Sequence, residues 1–371
     1  MRHEAEFPSR SSSREGAATR FAKPIQRYTK TDLNMKALVC EAPGRLVLSS
    51  RPDPVCEPGW AVVRPAFIGV CGTDFHIYKG LHPFLAYPRI IGHELSGTVV
   101  ETRGDRLKAG DRVVVNPYIS CGACRACKGG NRNCCVAISV LGVHADGGMA
   151  EAFAVPEGNL HRAGDLSPRD AAMVEFLAIG AHAVRRGGVA PGERVAVAGA
   201  GPIGLGVGLF ARIAGADVTF LDINPARLAF AAGKLGFDQG IPVEAGGAVA
   251  QAMERTGGEL FDAVFDATGK AVSMEGGFEL TGAAGRYVLV SVVKDRISFA
   301  DPLFHAREMT LLGSRNATDA DFAHVMASMA GGRIPTGLLH THTATLDDAA
   351  TAIPAWLEQP GSVVKAMIAV P

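Results

Sequence analysis

Two textures of apolar and polar positions divide the chain. Between Met35 and about residue 154, apolar residues come in short runs, at 60–63, 113–115 and 149–155, each broken within a few positions by Gly, Pro or Asp. Runs that short cannot complete the turns of a core helix, so this stretch predicts a β-rich, irregular unit. From about residue 181 the spacing lengthens. Strand-like runs at 194–199, 218–222, 263–266, 287–291 and 310–313 alternate with helical stretches that open at Ile203 and Pro225 and cover 272–280. Such alternation gives a parallel sheet wrapped by helices, an α/β doubly wound arrangement of the Rossmann type. A last helix and strand within 353–370, with the strand at 363–369, predict that the C-terminus rejoins the first unit. No internal repeat is visible.

The first 34 residues carry seven Lys/Arg, four Asp/Glu, three consecutive serines and no apolar period, which predicts a disordered extension. Glu4, Glu6 and Glu15 argue against an organellar transit segment, and no apolar core of a secretory signal exists. The reducing cytoplasm is the expected compartment, where clustered cysteines serve as metal ligands. The longest uncharged stretch, 195–211, is broken by Gly199, Gly201, Pro202, Gly204, Gly206 and Gly208 and reads as a turn, not as a membrane span.

Composition adds limits. At 371 residues the chain has room for two cores, and 37 Lys/Arg against 37 Asp/Glu gives no basic surplus for nucleic acid or anionic lipid. Without the first 34 residues the balance is 30 against 33, a mildly acidic body. Two excesses remain: 45 glycines, and eight cysteines of which five lie between Cys121 and Cys135.

The glycines point to a dinucleotide. Gly199-Ala-Gly201-Pro202-Ile203-Gly204 follows a strand, opens a helix and precedes a second strand ending in Asp222. Those are the contexts the GxGxxG motif needs, with free N–H groups at the helix start for a pyrophosphate. Asp222 would accept hydrogen bonds from the ribose hydroxyls and repel a 2′-phosphate, so NAD is expected over NADP. Arg227 would flank the adenine or lie on a solvated helix face.

The cysteines point to metal. Cys121, Cys124, Cys127 and Cys135 supply four thiolates from one short loop, enough to close a tetrahedral zinc shell that leaves no place for substrate. Cys134 competes for the fourth place, and an iron–sulfur cluster is the alternative occupant. A third grouping, Cys71-Gly-Thr73-Asp74-Phe-His76 with His93-Glu94, combines a thiolate, imidazoles and carboxylates.

With these motifs in this order, residues 35–371 resemble the zinc-dependent medium-chain dehydrogenases of the alcohol, sorbitol and threonine dehydrogenase kind. The resemblance implies a GroES-like catalytic domain from 35–180 and 315–371 around a Rossmann domain at 181–314, with NAD and two zinc ions per chain. It also selects Cys135 as the fourth ligand of the structural zinc. Cys71, His93 and Glu175 match the catalytic zinc ligands, although Phe176 stands where proline is common. Glu94 matches a mobile carboxylate beside the metal, Asp74 an acid that fixes the histidine tautomer, and Thr73 with His76 a proton relay. A glycine shifted to Gly104 departs from the family pattern and implies an altered turn.

The resemblance is strongest to bacterial polyol and hexonate dehydrogenases that act at C5, of the L-galactonate and L-gulonate kind. It implies oxidation of a secondary hydroxyl of a small polyol or sugar acid, with Arg315 as partner of a substrate carboxylate and His144 as a further substrate residue. L-Threonine and simple alcohols are the alternative substrates. A non-catalytic NAD or metabolite sensor is the alternative of another class. Relatives form homodimers or homotetramers, which implies that the strand at 287–291 extends a sheet across a dyad.

Overall fold

The computed structural model describes residues 28–82, 85–238, 240–243, 247–359 and 361–371. Residues 1–27 of the expected extension lie outside these. The chain is already in a strand at Tyr28: Tyr28–Ala42 pairs antiparallel with Arg45–Pro54, Tyr28 opposite Pro54 and Met35 opposite Arg51. Two register shifts before Met35 explain why 28–34 shows no clean alternation in sequence.

The first unit is built on the sheet order Leu160–Arg162, Arg112–Val115, Glu94–Thr102, Trp60–Val70, Lys365–Ala369, His340–Thr345, with Phe153–Pro156 also on Trp60–Val70. Trp60–Val70 is central and buried on both faces, so its apolar residues run together instead of alternating. The expected run at 149–155 is divided: Ala150 makes an isolated bridge to Ala37, and the strand proper is Phe153–Pro156. The C-terminal strand returns as expected, Ile368 facing Ile68.

The altered turn at Gly104 has a local cause. Glu157 is buried and accepts N–H bonds from Asp105, Arg106 and Leu107 at 2.9–3.0 Å. Its carboxylate lies where a side chain at Gly104 would begin, 2.1 Å from an ideal Cβ.

The second unit is a six-stranded parallel sheet, Ile241–Pro242, Asp217–Asp222, Arg194–Ala198, Phe261–Asp266, Thr281–Leu289, Thr310–Gly313. In chain order this is 3-2-1-4-5-6, so the order reverses between Arg194–Ala198 and Phe261–Asp266. Ligands of such sheets bind at the carboxyl ends of strands at that reversal. Tyr287 lies inside the sheet, paired to both neighbours, and the open edge is Thr310–Gly313. The dyad strand expected at 287–291 is therefore not an edge. Sequence pattern also missed the helices Val174–Gly187, Ala248–Thr256 and Asp319–Ala330. Among the described residues, no helix is long and apolar enough to cross a membrane.

Val174–Gly187 joins the two units. It packs on Pro202–Ile213 so closely that a Cβ on Gly180 would meet the carbonyl carbon of Gly206 at 2.4 Å. Glu175 at the start of one helix is thus tied to the glycine-rich turn that starts the other.

Candidate active site and metal centres

The glycine-rich turn has the geometry its sequence requires. Gly199 sits at φ +94°, its N–H bonded to the Leu221 carbonyl, and a Cβ on Gly204 would collide with the Gly199 carbonyl oxygen. Gly201 caps the helix, Pro202 and Ile203 begin it, and the nearest atom to a Cβ on Gly201 is an Arg227 nitrogen at 3.8 Å. The space over that N-terminus is what a pyrophosphate needs. Asp222 also builds the turn: its oxygens accept the N–H groups of Ala200 at 2.7 Å and Asn224 at 2.8 Å. Arg227 stands 3.8 Å from the same carboxylate.

In the cysteine loop the sulfurs of Cys121, Cys124, Cys127 and Cys135 all lie within 4.8 Å of one another, while Cys134 is exposed. The Cys124–Cys127 and Cys121–Cys127 separations of 3.5 and 4.0 Å bracket the roughly 3.8 Å edge of a tetrahedron with zinc–sulfur bonds of about 2.3 Å. An iron–sulfur core would hold its thiolates further apart, because inorganic sulfide lies between them. Backbone amides aim at the sulfurs: Cys127 N–H at Cys124, and Cys121 and Ala137 N–H at Cys135. The Cys127 and Val136 amides lower Cys124 to about 6, whereas burial pushes Cys135 up to about 12. Four thiols this close cannot all ionise without a cation among them, so the donor set fits a zinc ion.

The second centre lies in the first unit. Cys71 caps the short helix Gly72–Tyr78, and His93 and Glu94 stand where the strand Glu94–Thr102 begins. Asp74 ties these segments together, accepting N–H bonds from Cys71 at 2.9 Å and Gly92 at 3.2 Å. His93 Nδ1 is buried without a hydrogen-bond partner, 3.9 Å from Asp74, while the ring also faces the Cys71 thiol. Asp74 therefore influences His93 through its charge and through backbone placement.

Donor atoms of Cys71, His93 and Glu94 lie within 4.8 Å of one another, a set that fits zinc. Glu175 is not in that group. It is buried behind it, and the Tyr118 hydroxyl donates to its carboxylate. Burial, reinforced by Glu94, raises Glu175 to about 7. Glu94 thus stands with Cys71 and His93, and the charge of Glu175 is felt by His93.

Two residues that shape this centre carry no motif. Lys365, 1% exposed, donates to both oxygens of Glu94 at 2.7 and 2.6 Å and lies 4.2 Å over the Phe176 ring. Burial opposes its charge, but Glu94, Cys71 and Glu175 together hold its pKa above the usual lysine value. Lys365 thus sets a buried positive charge against the acidic groups of this centre. Gly69, opposite Glu94 in the sheet, gives the carboxylate its room: a Cβ there would stand 1.9 Å from Oε2.

Thr73 Oγ1 lies 3.8 Å from Cys71 Sγ, and His76 follows one helical turn later. Partial desolvation, with Lys79 and Lys270, lowers the His76 pKa and favours a neutral ring. His144 Nδ1 accepts the Val140 N–H at 3.1 Å; desolvation lowers this pKa too, with Arg315 and Arg89 adding. His82, missed in the sequence, joins them: it feels His144, His76 and His93 as well as Lys294. His76, His93 and His144 thus all lie within electrostatic reach of His82.

Known proteins share this arrangement. Residues 57–165 match the alcohol dehydrogenase GroES-like domain and residues 202–331 the zinc-binding dehydrogenase domain. The chain is 43% identical over 310 residues to L-galactonate-5-dehydrogenase of Escherichia coli K12, covering 83% of this chain and 91% of that one. It is 35% identical to D-altritol 5-dehydrogenase of Agrobacterium fabrum, covering 81% and 93%. Among solved structures, the alcohol dehydrogenase RspB of E. coli CFT073, complexed with NADH, superposes with a TM-score of 0.84 at 29% identity over 90% of this chain and 99% of that one. The chain belongs to the zinc-binding, medium-chain alcohol dehydrogenase family, with a GroES-like domain and a Rossmann domain.

Proposed function

We propose that this enzyme oxidises a secondary hydroxyl of a sugar acid or polyol to a ketone, with zinc and NAD. The observation that carries the reading is the buried group of Cys71, His93 and Glu94, with the Thr73 hydroxyl beside it and a dinucleotide turn in the adjoining unit. Cys71, His93 and Glu94 would hold the catalytic zinc, which when bound lowers the pKa of a coordinated hydroxyl and so favours its alkoxide. NAD, seated on Gly199–Gly204 and Asp222, supplies the hydride acceptor.

The remaining tasks belong to the chain. Thr73 and His76 take the hydroxyl proton outward, the neutral ring at His76 being free to accept it. Glu94 stands between Lys365 and the Cys71–His93 pair, so it would pass between lysine and metal as water exchanges. Glu175, held by Tyr118, supplies a nearby charge instead of a bond to the metal. Arg315 and His144 face an anionic substrate end; the similarity to a galactonate and an altritol dehydrogenase favours hydroxylated hexose derivatives. We place the enzyme in the cytoplasm, where four clustered thiols stay reduced, and as a homodimer or homotetramer built on the open edge at Thr310–Gly313.

The test is a panel of hexonates, polyols, L-threonine and simple alcohols, scored by NADH formation in zinc-loaded protein. Hexonates or polyols should lead; threonine turnover above both would replace the substrate assignment. Absence of turnover on every member would favour a sensor.

A further inference from the structure

Asn133 lies in the cysteine loop, between Cys127 and Cys135, yet it holds no metal and its side chain is buried at 4% exposure. Its amide nitrogen donates to the Arg315 carbonyl at 2.9 Å and stands 3.2 Å from His182 Nε2. In return, its own carbonyl accepts from the Asn316 side chain at 3.5 Å. Among the described residues Asn316 is one of four non-glycine residues at positive φ, at +51°, a left-handed bend that asparagine adopts more readily than most.

The orientation of the Asn133 amide is fixed by the Arg315 carbonyl, which can only accept, so the amide nitrogen must face it. The same nitrogen also faces His182 Nε2, and that ring is held at Nδ1 by Asp321 at 2.9 Å and Arg185 at 3.1 Å. Asp321 is itself held by Arg185 at 2.7 and 3.0 Å and by the Thr318 hydroxyl and N–H. A flipped amide would set oxygen against the Arg315 carbonyl oxygen, so Asn133 Oδ1 stays buried without a hydrogen-bond partner.

We propose that Asn133 is a positioning residue for substrate specificity: it clamps the backbone at Arg315 and so makes the folded cysteine loop a support of the cleft. The clamp sits where the Rossmann strand Thr310–Gly313 ends and before the helix Asp319–Ala330 begins. It joins three parts otherwise distant in sequence: the loop, the helix that carries Glu175, and the segment that aims Arg315 toward His144. The specificity consequence rests on the assignment of Arg315 to a substrate carboxylate made above. The clamp itself does not.

Asn133→Asp keeps the shape and removes both donors; Asn133→Ala removes them without adding charge, should the aspartate fail to fold. Zinc per chain and thermal melting establish that each variant is folded. For a hexonate, either variant should raise KM about tenfold with kcat within about twofold, and leave KM for an uncharged polyol unchanged. Arg315→Ala should raise KM for the hexonate at least as much, and the double variant should add nothing to that rise. In hydrogen exchange, the peptide covering 314–318 should exchange faster in the Asn133 variants than in the parent. Equal KM changes for acid and polyol would reduce Asn133 to a fold residue and overturn its specificity role. Unchanged exchange at 314–318 would overturn the clamp. If the parent oxidises no hexonate, the substrate assignment fails by itself, and the exchange measurement still decides the clamp.

Discussion

The cysteine loop and the cleft centre both gather metal-binding donors, but they are assembled in opposite ways. The loop draws four sulfurs from fifteen consecutive residues, 121–135, and aims its own backbone amides at them. The cleft draws Cys71 from a helix cap, His93 and Glu94 from the start of a strand, and Lys365 from the far end of the chain. A closed shell of identical ligands is satisfied locally and holds a loop together. An open site needs unlike groups in balance, and that balance comes only from tertiary structure. The lesson is that one centre serves the fold and the other the reaction, and single substitutions should separate them.

The largest expected effect is on Cys71. Cys71→Ser should lower kcat/KM by at least about 10³-fold, since the site loses the thiolate that anchors its cation. Melting and the loop zinc should stay near the parent's. Cys124→Ser should do the reverse in kind: loop zinc lost, melting lowered, and activity lost only in proportion to unfolding. Metal analysis with melting curves checks both, and a Cys71 variant that loses both zinc ions breaks the comparison.

Next comes the charge that no motif shows. Lys365→Met leaves Glu94 buried without its partner, so the metal-free protein should lose about 3–5 kcal/mol. Zinc should restore much of this, because the cation takes over the lysine's role. The stabilisation on adding zinc, read by urea unfolding, should therefore be larger in the variant than in the parent. Equal zinc stabilisation in both would mean that Lys365 does not balance the site. Gly69→Ala acts on the same carboxylate through space: its Cβ would overlap Glu94, at about 1–3 kcal/mol of stability. The cobalt-substituted enzyme should show a changed ligand-field spectrum, while the loop zinc stays in place.

What the sequence showed and hid follows the same division. Spacing indicated the cysteine cluster and the turn Gly199–Gly204, with resemblance choosing Cys135 over Cys134, because each is a local device whose chemistry depends on near neighbours. The parallel sheet was legible for the same reason, each strand being followed by its helix. Resemblance led to Cys71 and His93, and it placed Glu175 among the ligands. The geometry groups Glu94 with Cys71 and His93, and gives Glu175 the Tyr118 hydroxyl as its partner. Lys365, Gly69 and Asn133 were illegible. A lysine in a C-terminal strand, a glycine in a core strand and an asparagine among cysteines have ordinary uses, and only the partners at long range give them these.

The smallest predicted effect tests whether the two regions are independent or joined. If the network through Asp321, His182 and Asn133 links loop and cleft, Asp321 contributes to stability as an ion. Burial works against its charge, yet His182, Arg185 and Thr318 hold its carboxyl well below the usual carboxylate range. A carboxylate depressed in the folded state stabilises the protein above its unfolded pKa, near 3.9, and the contribution fades as pH falls toward the folded value. Asp321→Asn cannot titrate. The variant should therefore be less stable than the parent by about 1–2 kcal/mol at pH 7, with the gap narrowing below about pH 4. Other carboxylates titrate equally in both proteins and cancel in the difference. Urea unfolding between pH 3 and 7 measures it, and a gap that is flat across that range would show that the carboxylate acts through shape alone, leaving the loop and the cleft without an ionic link.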